Sequence, residues 1–155
     1  CLAASLACIG TLCVKSEVTK RAVERNKLPE TVLAVITGDQ AADATLVRAA
    51  LPILRTLSMN DDASASLDSK AFDFARRIAS EGALEALLSA GRLHTGHAGV
   101  TADVLFTLAT LTVNNDICLR IRDLGGLEYV ATAVNAMVED RMVARRGVEW
   151  LKKLA

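Results

Sequence analysis

Few residues of this chain are candidates for metal binding or catalysis. The two histidines are the first candidates. His94 and His97 lie in the stretch HTGHAGVT with HxxH spacing, an arrangement that zinc sites often use. Zinc requires three or four ligands, and only Asp103 follows closely enough to serve as a third. We therefore predict no metal site here and expect both histidines to be solvated loop residues.

The four cysteines do not form a recognisable redox or metal motif. Cys1, Cys8, Cys13 and Cys118 show no CxxC spacing and have no neighbouring histidine. Cys1 and Cys8 would stand about 10 Å apart on one helix, which is too far for a disulfide. We interpret all four as small buried residues of a protein in a reducing compartment, the cytoplasm or alternatively the nucleus.

No motif for nucleophilic or phosphate chemistry is present. The sequence GHAG is not followed by Lys and Ser or Thr, as a phosphate-binding loop would be, and no GxSxG occurs. The paired carboxylates Asp61 and Asp62 are better explained as residues near a helix start, where negative charge is favourable. We predict no catalysis and no cofactor.

Composition indicates one all-helical domain. The 155 residues are 52% hydrophobic, with only five aromatic side chains and two prolines, so Leu, Ala, Val and Ile must build the core. The net charge is zero, which argues against a nucleic-acid partner. The uncharged opening stretch CLAASLACIGTLCV is fourteen residues long, too short to cross a bilayer, so we expect no membrane association.

The chain contains internal repeats. Superposing Leu12, Leu57, Leu111 and Leu154 aligns four apolar stretches, separated by 45, 54 and 43 residues. A second marker, a break before an apolar run, recurs at Asn26, Gly82 and Gly125. Each unit is thus a short helix, a break, a medium helix, a loop and a long third helix.

The stretches LTVNNDICLRIRDLGGLEYVATAV and LSMNDD…ARRIASEGALEALLSA resemble armadillo repeats. The resemblance covers nearly the whole chain and implies a right-handed α-solenoid of stacked three-helix repeats. HEAT repeats, with two helices per unit, are the alternative. The implied division is a third helix of a truncated repeat at 1–16, full repeats at 17–62 and 63–116, and a near-complete terminal repeat at 117–155.

In one unit the stretch from the long helix to the next break, Leu57 to Gly82, spans 25 residues and not 14, an insertion of eleven. Eleven residues make almost three helical turns, so an insertion of this size preserves the buried face. Leu67, Ala71, Phe74 and Ile78 fall on one stripe, which predicts an extended first helix over about 66–80, with Asp61 and Asp62 near its start. The alternative is a loop at about 61–71 before a first helix of ordinary length.

The resemblance to armadillo proteins also indicates where a partner would bind. Members that bind basic peptides, similar to importin-α, carry a Trp and an Asn four residues apart on each third helix. Here the equivalent pairs are Ala7 and Thr11, Pro52 and Thr56, Phe106 and Thr110, and Glu149 and Lys153, so that mode of binding is not expected.

Stacked repeats leave their third helices along a concave groove, the usual recognition face of solenoids. We predict a scaffold or adaptor that binds an extended peptide or a helix there. The alternative is a structural segment that associates with itself through its terminal helices in a cytoskeletal or filament assembly. By helical phase, the partner-binding residues would be Arg48, Arg55, Thr56, Asn60, Asp103, Phe106, Thr110, Asn114, Arg145 and Glu149.

Three further expectations concern the fold itself. Pro52 lies inside a predicted helix, where it removes a backbone hydrogen bond, and this predicts a kink. Gly125 is expected to have a positive φ angle. The core is predicted to include Leu12, Leu57, Leu87, Leu108, Leu111, Ile121 and Leu127.

Overall fold

The computed structural model describes residues 1–63 and 69–154, and the regular structure in this part of the chain is helical, without a strand. Between α5 and α6 lies a π-helical turn at Ala79–Ala83. The α-helices are α1 Leu2–Leu12, α2 Glu17–Arg25, α3 Leu28–Thr37, α4 Ala44–Leu57, α5 Ala71–Ile78, α6 Leu84–Leu93, α7 Ala98–Leu111, α8 Asn115–Asp123, α9 Gly126–Ala136 and α10 Arg141–Leu154.

The long helices end at the four leucines that align the repeats. Helices α1, α4, α7 and α10 end at Leu12, Leu57, Leu111 and Leu154. They pack in a row, α1 against α4, α4 against α7 and α7 against α10, and we call them the third-helix layer. An all-helical chain whose long helices pack successively in this way is consistent with an α-solenoid.

The medium helices α3, α6 and α9 form a second row behind this layer. Each packs against the long helix that follows it, and α6 also contacts α3 and α9. The core between the rows consists mainly of Leu, Ala, Val and Ile, as the composition predicts. Near the end of the chain the buried Trp150 completes it, and its indole Nε1 donates to the Thr112 hydroxyl over 3.3 Å.

The break between the first and second helices is built on one left-handed residue in each unit. Gly82 and Gly125 have φ angles of +97° and +77°, so the expectation of a positive φ at Gly125 is confirmed. In the first copy, where the sequence predicts the break at Asn26, residues 26 and 27 form the turn, and the left-handed residue is Lys27, with φ +56°. This conformation is sterically unfavourable for lysine, which has a Cβ atom, but not for glycine.

Five of the seven predicted core leucines and isoleucines are buried: Leu57, Leu87, Leu108, Leu111 and Ile121. The prediction for Leu12 is wrong, because its side chain is 60% exposed while the neighbouring Cys13 is fully buried. Lys27 follows Cys13 by fourteen residues, as Gly125 follows Leu111. The first copy is therefore shifted by one residue, and Cys13 takes the buried position.

Leu127 is also more exposed than predicted. It is the second residue of α9, whose buried face consists of Gly126, Tyr129, Val130 and Ala133. A residue next to Gly126 lies about 100° around the helix from it, off that face, and 41% of Leu127 is exposed.

The extended first helix expected over 66–80 begins later than predicted. Ser69 and Lys70 are not helical, and α5 starts at Ala71. The part of that prediction on residues 66–68, including Leu67, lies outside the described residues. The rest of the stripe is confirmed, since Ala71, Phe74 and Ile78 are all buried.

Asp61 and Asp62 contact a different helix from the one predicted. Asp61 accepts a hydrogen bond from the Lys15 amide, and Asp62 accepts one from the Glu17 amide. The distance from nitrogen to carboxylate oxygen is 3.2 Å in each. Glu17 is the first residue of α2, so these carboxylates lie at the start of α2 and not of α5. Unpaired amides at a helix start favour acceptors and negative charge, whichever part of the chain supplies them.

Pro52 does not interrupt its helix. Helix α4 is assigned as continuous from Ala44 to Leu57 with Pro52 inside it. The helix is therefore not broken at this residue, and the predicted kink stays a prediction.

Candidate functional site

The two histidines have structural roles. His97 is the N-cap residue of α7, and its Nδ1 accepts a hydrogen bond from the Val100 amide. His94 Nε2 lies 2.7 Å from the Ala41 carbonyl oxygen in the preceding loop. Both lie in the loop between α6 and α7, and His97 is exposed as expected, but the hydrogen bond that each makes was not predicted. Across residues 1–63 and 69–154, no group of three or more His, Cys, Asp or Glu side chains is placed to hold a metal ion.

All four cysteines are free thiols, but their burial differs from the prediction. Cys13 is buried, Cys118 is half-buried, and Cys1 and Cys8 are exposed. Burial raises the pKa of the Cys13 thiol, which is partly offset by the nearby charge of Lys20. A neutral buried thiol is a poor nucleophile.

A cluster of arginines surrounds Phe106 in the middle of the third-helix layer. The ring of Phe106 is neither fully exposed nor buried. The guanidinium carbon of Arg146 lies 3.6 Å from the ring centroid, and that of Arg55 lies 4.5 Å away. These are cation–π distances, and they join α4, α7 and α10 at one point.

Two acidic residues hold the arginines of this cluster in place. Asp103, one turn before Phe106, contacts Arg48 Nε at 3.3 Å and Arg55 Nη1 at 3.5 Å. Glu149 accepts 2.8 Å hydrogen bonds from Arg145 and Arg146. These two hydrogen bonds lower the pKa of the Glu149 carboxyl. Each acid therefore faces two guanidinium groups.

The charge of Arg55 is poorly solvated. Only 19% of its side chain is exposed. Burial lowers the pKa of Arg55; the Asp103 carboxylate counteracts this effect, and the nearby positive charge of Arg146 adds to it. Arg55 therefore stands between one carboxylate and a second cation in a partly desolvated position.

We define the Phe106 cluster as Arg48, Arg55, Asp103, Phe106, Arg145, Arg146 and Glu149. Six of the ten sequence-predicted binding residues belong to it. Arg146 was missed, although its spacing of three residues from Glu149 on α10 is a signal that the sequence contains.

The other four predicted residues lie elsewhere. Thr56 is buried, so it cannot belong to an exposed groove. Thr110 donates a hydrogen bond to the Thr107 carbonyl, and Asn114 caps α8 by accepting from the Ile117 amide. Asn60 is exposed beyond the end of α4, and the structure does not bring it into the cluster.

The third-helix layer is far more basic than the chain as a whole. Its four helices carry seven Lys or Arg residues and two Asp or Glu residues, a net charge of +5. The whole chain is neutral, with 18 residues of each sign. The remaining segments must therefore carry the compensating negative charge.

A second concave feature lies between α6, α7 and α9. It is a cavity of about 200 Å³, lined among others by Gly91, Thr101, Tyr129, Ala133 and Met137. The buried hydroxyls of Thr101 and Tyr129 find no hydrogen bond of ordinary geometry among the described residues. Burial raises the pKa of Tyr129 to about 12, an effect partly offset by Thr101 and the Arg92 charge.

A buried ionic cluster ties α2 to the end of the α4 segment. Lys20 is 4% exposed, and its ammonium donates to Glu17, to Asp61 and to the Met59 carbonyl. Burial acts to lower the pKa of Lys20, but hydrogen bonds and charge from Asp61 and Glu17 outweigh it, so the pKa is raised. These residues fix the scaffold and do not belong to the Phe106 cluster.

Comparison with known proteins gives a consistent but distant relationship. The chain is similar to Armadillo repeat-containing protein 6 of Homo sapiens and of Pongo abelii, 28% identical to each over 155 residues. The match covers 97% of this chain but only 31% of each relative. No protein-family model matches the chain, and no solved structure matches it significantly. The similarity suggests armadillo-like repeats.

None of the described helices combines the length and the apolar character needed to cross a bilayer.

Proposed function

We propose that the chain is part of a right-handed armadillo-type α-solenoid that serves as a scaffold or adaptor for protein partners, without catalysis. In this proposal residues 1–16 contain a third helix, 17–62 and 63–116 are full repeats, and 117–155 contain the three helices of a further repeat. The recurring order of short, medium and long helices supports it, as does the similarity to two armadillo repeat-containing proteins. The free cysteines favour the cytoplasm or the nucleus.

The partner, an extended peptide or a helix, lies along the third-helix layer in this proposal. The observation that carries it is the Phe106 cluster. A half-buried aromatic ring lies within cation–π distance of Arg55 and Arg146, at the junction of α4, α7 and α10. A few residues supply most of the binding energy in protein interfaces; they are enriched in aromatic and arginine side chains and cluster near the centre of the contact.

Selection from a displayed library of random 12-residue peptides tests this proposal. Peptides that bind the 155-residue chain are measured again on Phe106→Ser and on a matched control, Phe72→Ser. Phe72 lies on α5, outside the third-helix layer, and is 61% exposed, so the control removes an accessible ring of the same kind. Circular dichroism verifies that each variant is folded.

We expect Phe106→Ser to weaken the selected peptides by about tenfold or more, and Phe72→Ser to change them less than about twofold. Peptides that respond to neither substitution, or to Phe72 alone, would show that the third-helix layer is not the binding surface. The scaffold proposal would then fail in its present form.

The alternative function is self-association in a structural assembly. It is favoured by apolar side chains exposed near both ends of the helical row, including Leu12 at 60% and Leu151 at 38%. Sedimentation velocity over a wide concentration range separates the two functions. A concentration-dependent oligomer that Leu12→Ser or Leu151→Ser dissociates would favour assembly, whereas a monomer that still binds peptide would favour the adaptor.

A further inference from the structure

We propose that the partner of the third-helix layer is an acidic protein segment, whose Asp or Glu carboxylates pair with Arg55 and Arg146 beside the ring of Phe106. This inference rests on the function proposed above and adds the chemistry of the partner to it.

Charge complementarity is the first argument. The third-helix layer carries a net charge of +5 within a neutral chain, because α1, α4 and α7 together contain only one acidic residue, Asp103. Lys153 extends the basic surface toward α7, since its ammonium donates to the Ala109 carbonyl over 2.7 Å. An acidic segment is attracted to such a surface, and a basic one is repelled.

The geometry of the Phe106 cluster is the second argument. An arginine has five N–H donors. Among the described residues, Arg55 makes no ionic contact shorter than the 3.5 Å to Asp103, and Arg146 donates to Glu149 through Nη1 alone. Both groups therefore keep donors for a further acceptor. Because both guanidinium carbons lie within 4.5 Å of the Phe106 ring centroid, one partner carboxylate beside this ring would be able to reach both groups.

The environment of these donors makes such a pair worth more than an ordinary surface ion pair. The side chains of Arg55 and Arg146 are only 19% and 18% exposed, whereas Arg145 is 66% exposed. Charged hydrogen bonds strengthen where water is partly excluded. An added negative charge would also relieve the repulsion between Arg146 and the poorly solvated Arg55, which at present share Asp103 and Glu149 with two further arginines.

The same residues disfavour a nucleic-acid partner. Nucleic acids are bound by continuous basic tracks that contact successive phosphates. Here Asp103 and Glu149 interrupt the basic surface on both sides of Phe106. An acidic peptide can place carboxylates at the arginines and apolar side chains on the ring.

The test uses the library-selected peptides and fluorescence anisotropy on the 155-residue chain. Each peptide is compared with a version in which Asn and Gln replace its Asp and Glu. The chain is compared with Arg55→Gln, Arg146→Gln and a matched control, Arg76→Gln. Arg76 lies on α5, is 60% exposed and pairs with Asp73, so its removal leaves the third-helix layer unchanged.

We expect the selected peptides to be rich in Asp and Glu. Their affinity for the chain should fall about tenfold when Asn and Gln replace these residues. Arg146→Gln and Arg55→Gln should each produce a similar loss for the acidic peptide and less than about a twofold loss for the neutral one. Arg76→Gln should change neither. Raising the salt concentration from about 50 to 500 mM should weaken the acidic peptide selectively.

Three results would overturn the inference. If the selected peptides were neutral or basic but still required Phe106, the scaffold function would be supported and the acidic character of the partner would be rejected. Equal losses in Arg76→Gln and Arg146→Gln would show only general electrostatic attraction. A single-stranded oligonucleotide that displaces the peptide with higher affinity would assign the basic surface to a nucleic acid. Peptides indifferent to Phe106→Ser would instead reject the scaffold function itself.

Discussion

The hydroxyl of Tyr129 on α9 lies directly against Gly91 on α6, so closely that a Cβ atom at Gly91 would stand 2.3 Å from the hydroxyl oxygen. Only a residue without a side chain permits this approach of two medium helices. The contact places the phenol beside the cavity between α6, α7 and α9, where it is 7% exposed. Its ionisation is therefore linked to the stability of the fold.

Tyr129 provides a prediction on pH. It is the only tyrosine in the chain, so tyrosinate absorbance reports it without interference. Burial raises the pKa of Tyr129 from 10.0 to about 12. Its contribution to stability is fully present below pH 10 and is lost as the pH rises from 10 to about 12, by about 2 to 3 kcal/mol. We expect the absorbance midpoint near 12.

Circular dichroism recorded in the same titration is the control. A midpoint near 10 while the helical signal is still native would show that the phenol is solvated. In Tyr129→Phe, the free energy of unfolding should fall less steeply between pH 10 and 12 than in the unmodified chain.

A second prediction compares two leucines that the sequence aligns but the structure separates. Leu57→Ala removes a side chain that is 3% exposed and should cost about 2 to 5 kcal/mol in urea unfolding. Leu12→Ala removes one that is 60% exposed and should cost less than about 1 kcal/mol. Similar losses at both positions would contradict the one-residue shift of the first copy.

The buried ammonium of Lys20 gives a third prediction. Lys20→Ala leaves Glu17, 5% exposed, and Asp61 without their cation, and we expect a loss of about 3 to 5 kcal/mol in the free energy of unfolding. Arg76→Ala breaks an ion pair that is 60% exposed on both sides and should cost less than about 1 kcal/mol. Urea unfolding of both variants measures the difference.

The sign of the pH effect follows from the raised pKa of Lys20. The stabilisation is fully present below the pKa of an unfolded lysine, about 10.4, and is lost as the pH rises through the folded value. If Lys20→Ala were as stable as the unmodified chain at pH 7, the ionic cluster would contribute nothing net.

The left-handed residues between the first and second helices give the fourth prediction. Gly125→Val forces a β-branched residue to φ +77° and places its Cβ 3.1 Å from Arg92 Nη2, so we expect destabilisation of about 2 kcal/mol or more. Lys27→Gly removes the strain of a lysine at φ +56° and should stabilise the chain by up to about 1 kcal/mol. Thermal unfolding measures both changes. A destabilised Lys27→Gly would mean that the lysine side chain contributes more than its backbone costs.

The sequence predicts the positions of the helices better than it predicts which side chains of each helix are buried. The four aligned leucines coincide with the ends of the long helices. The apolar pattern by which they were aligned is the repeat of the helices themselves. A superposition that is one residue out still finds the helix, but it rotates every side chain by about 100°. Because of that error, Leu12 was predicted to be buried where Cys13 is buried, and the break was placed at Asn26, one residue before the left-handed Lys27.

The contacts between distant residues were harder to predict. Asp61 and Asp62 were expected near the helix that follows them, yet they contact the start of α2, more than forty residues earlier. Arg55, which helical phase predicts to share a surface with Asp103 and Phe106, contacts both of them. It could not choose between Arg145 and Arg146, because the preference of Arg146 for the Phe106 ring depends on how α10 packs against α7.

Lys27 occupies the corner at which the other two copies have glycine. All three residues have a positive φ angle, although the lysine has a long side chain that makes this conformation sterically less favourable. The corner therefore requires a left-handed backbone and not one particular amino acid. Units of this kind are better aligned with one another by the handedness of this turn than by the identity of the residue in it.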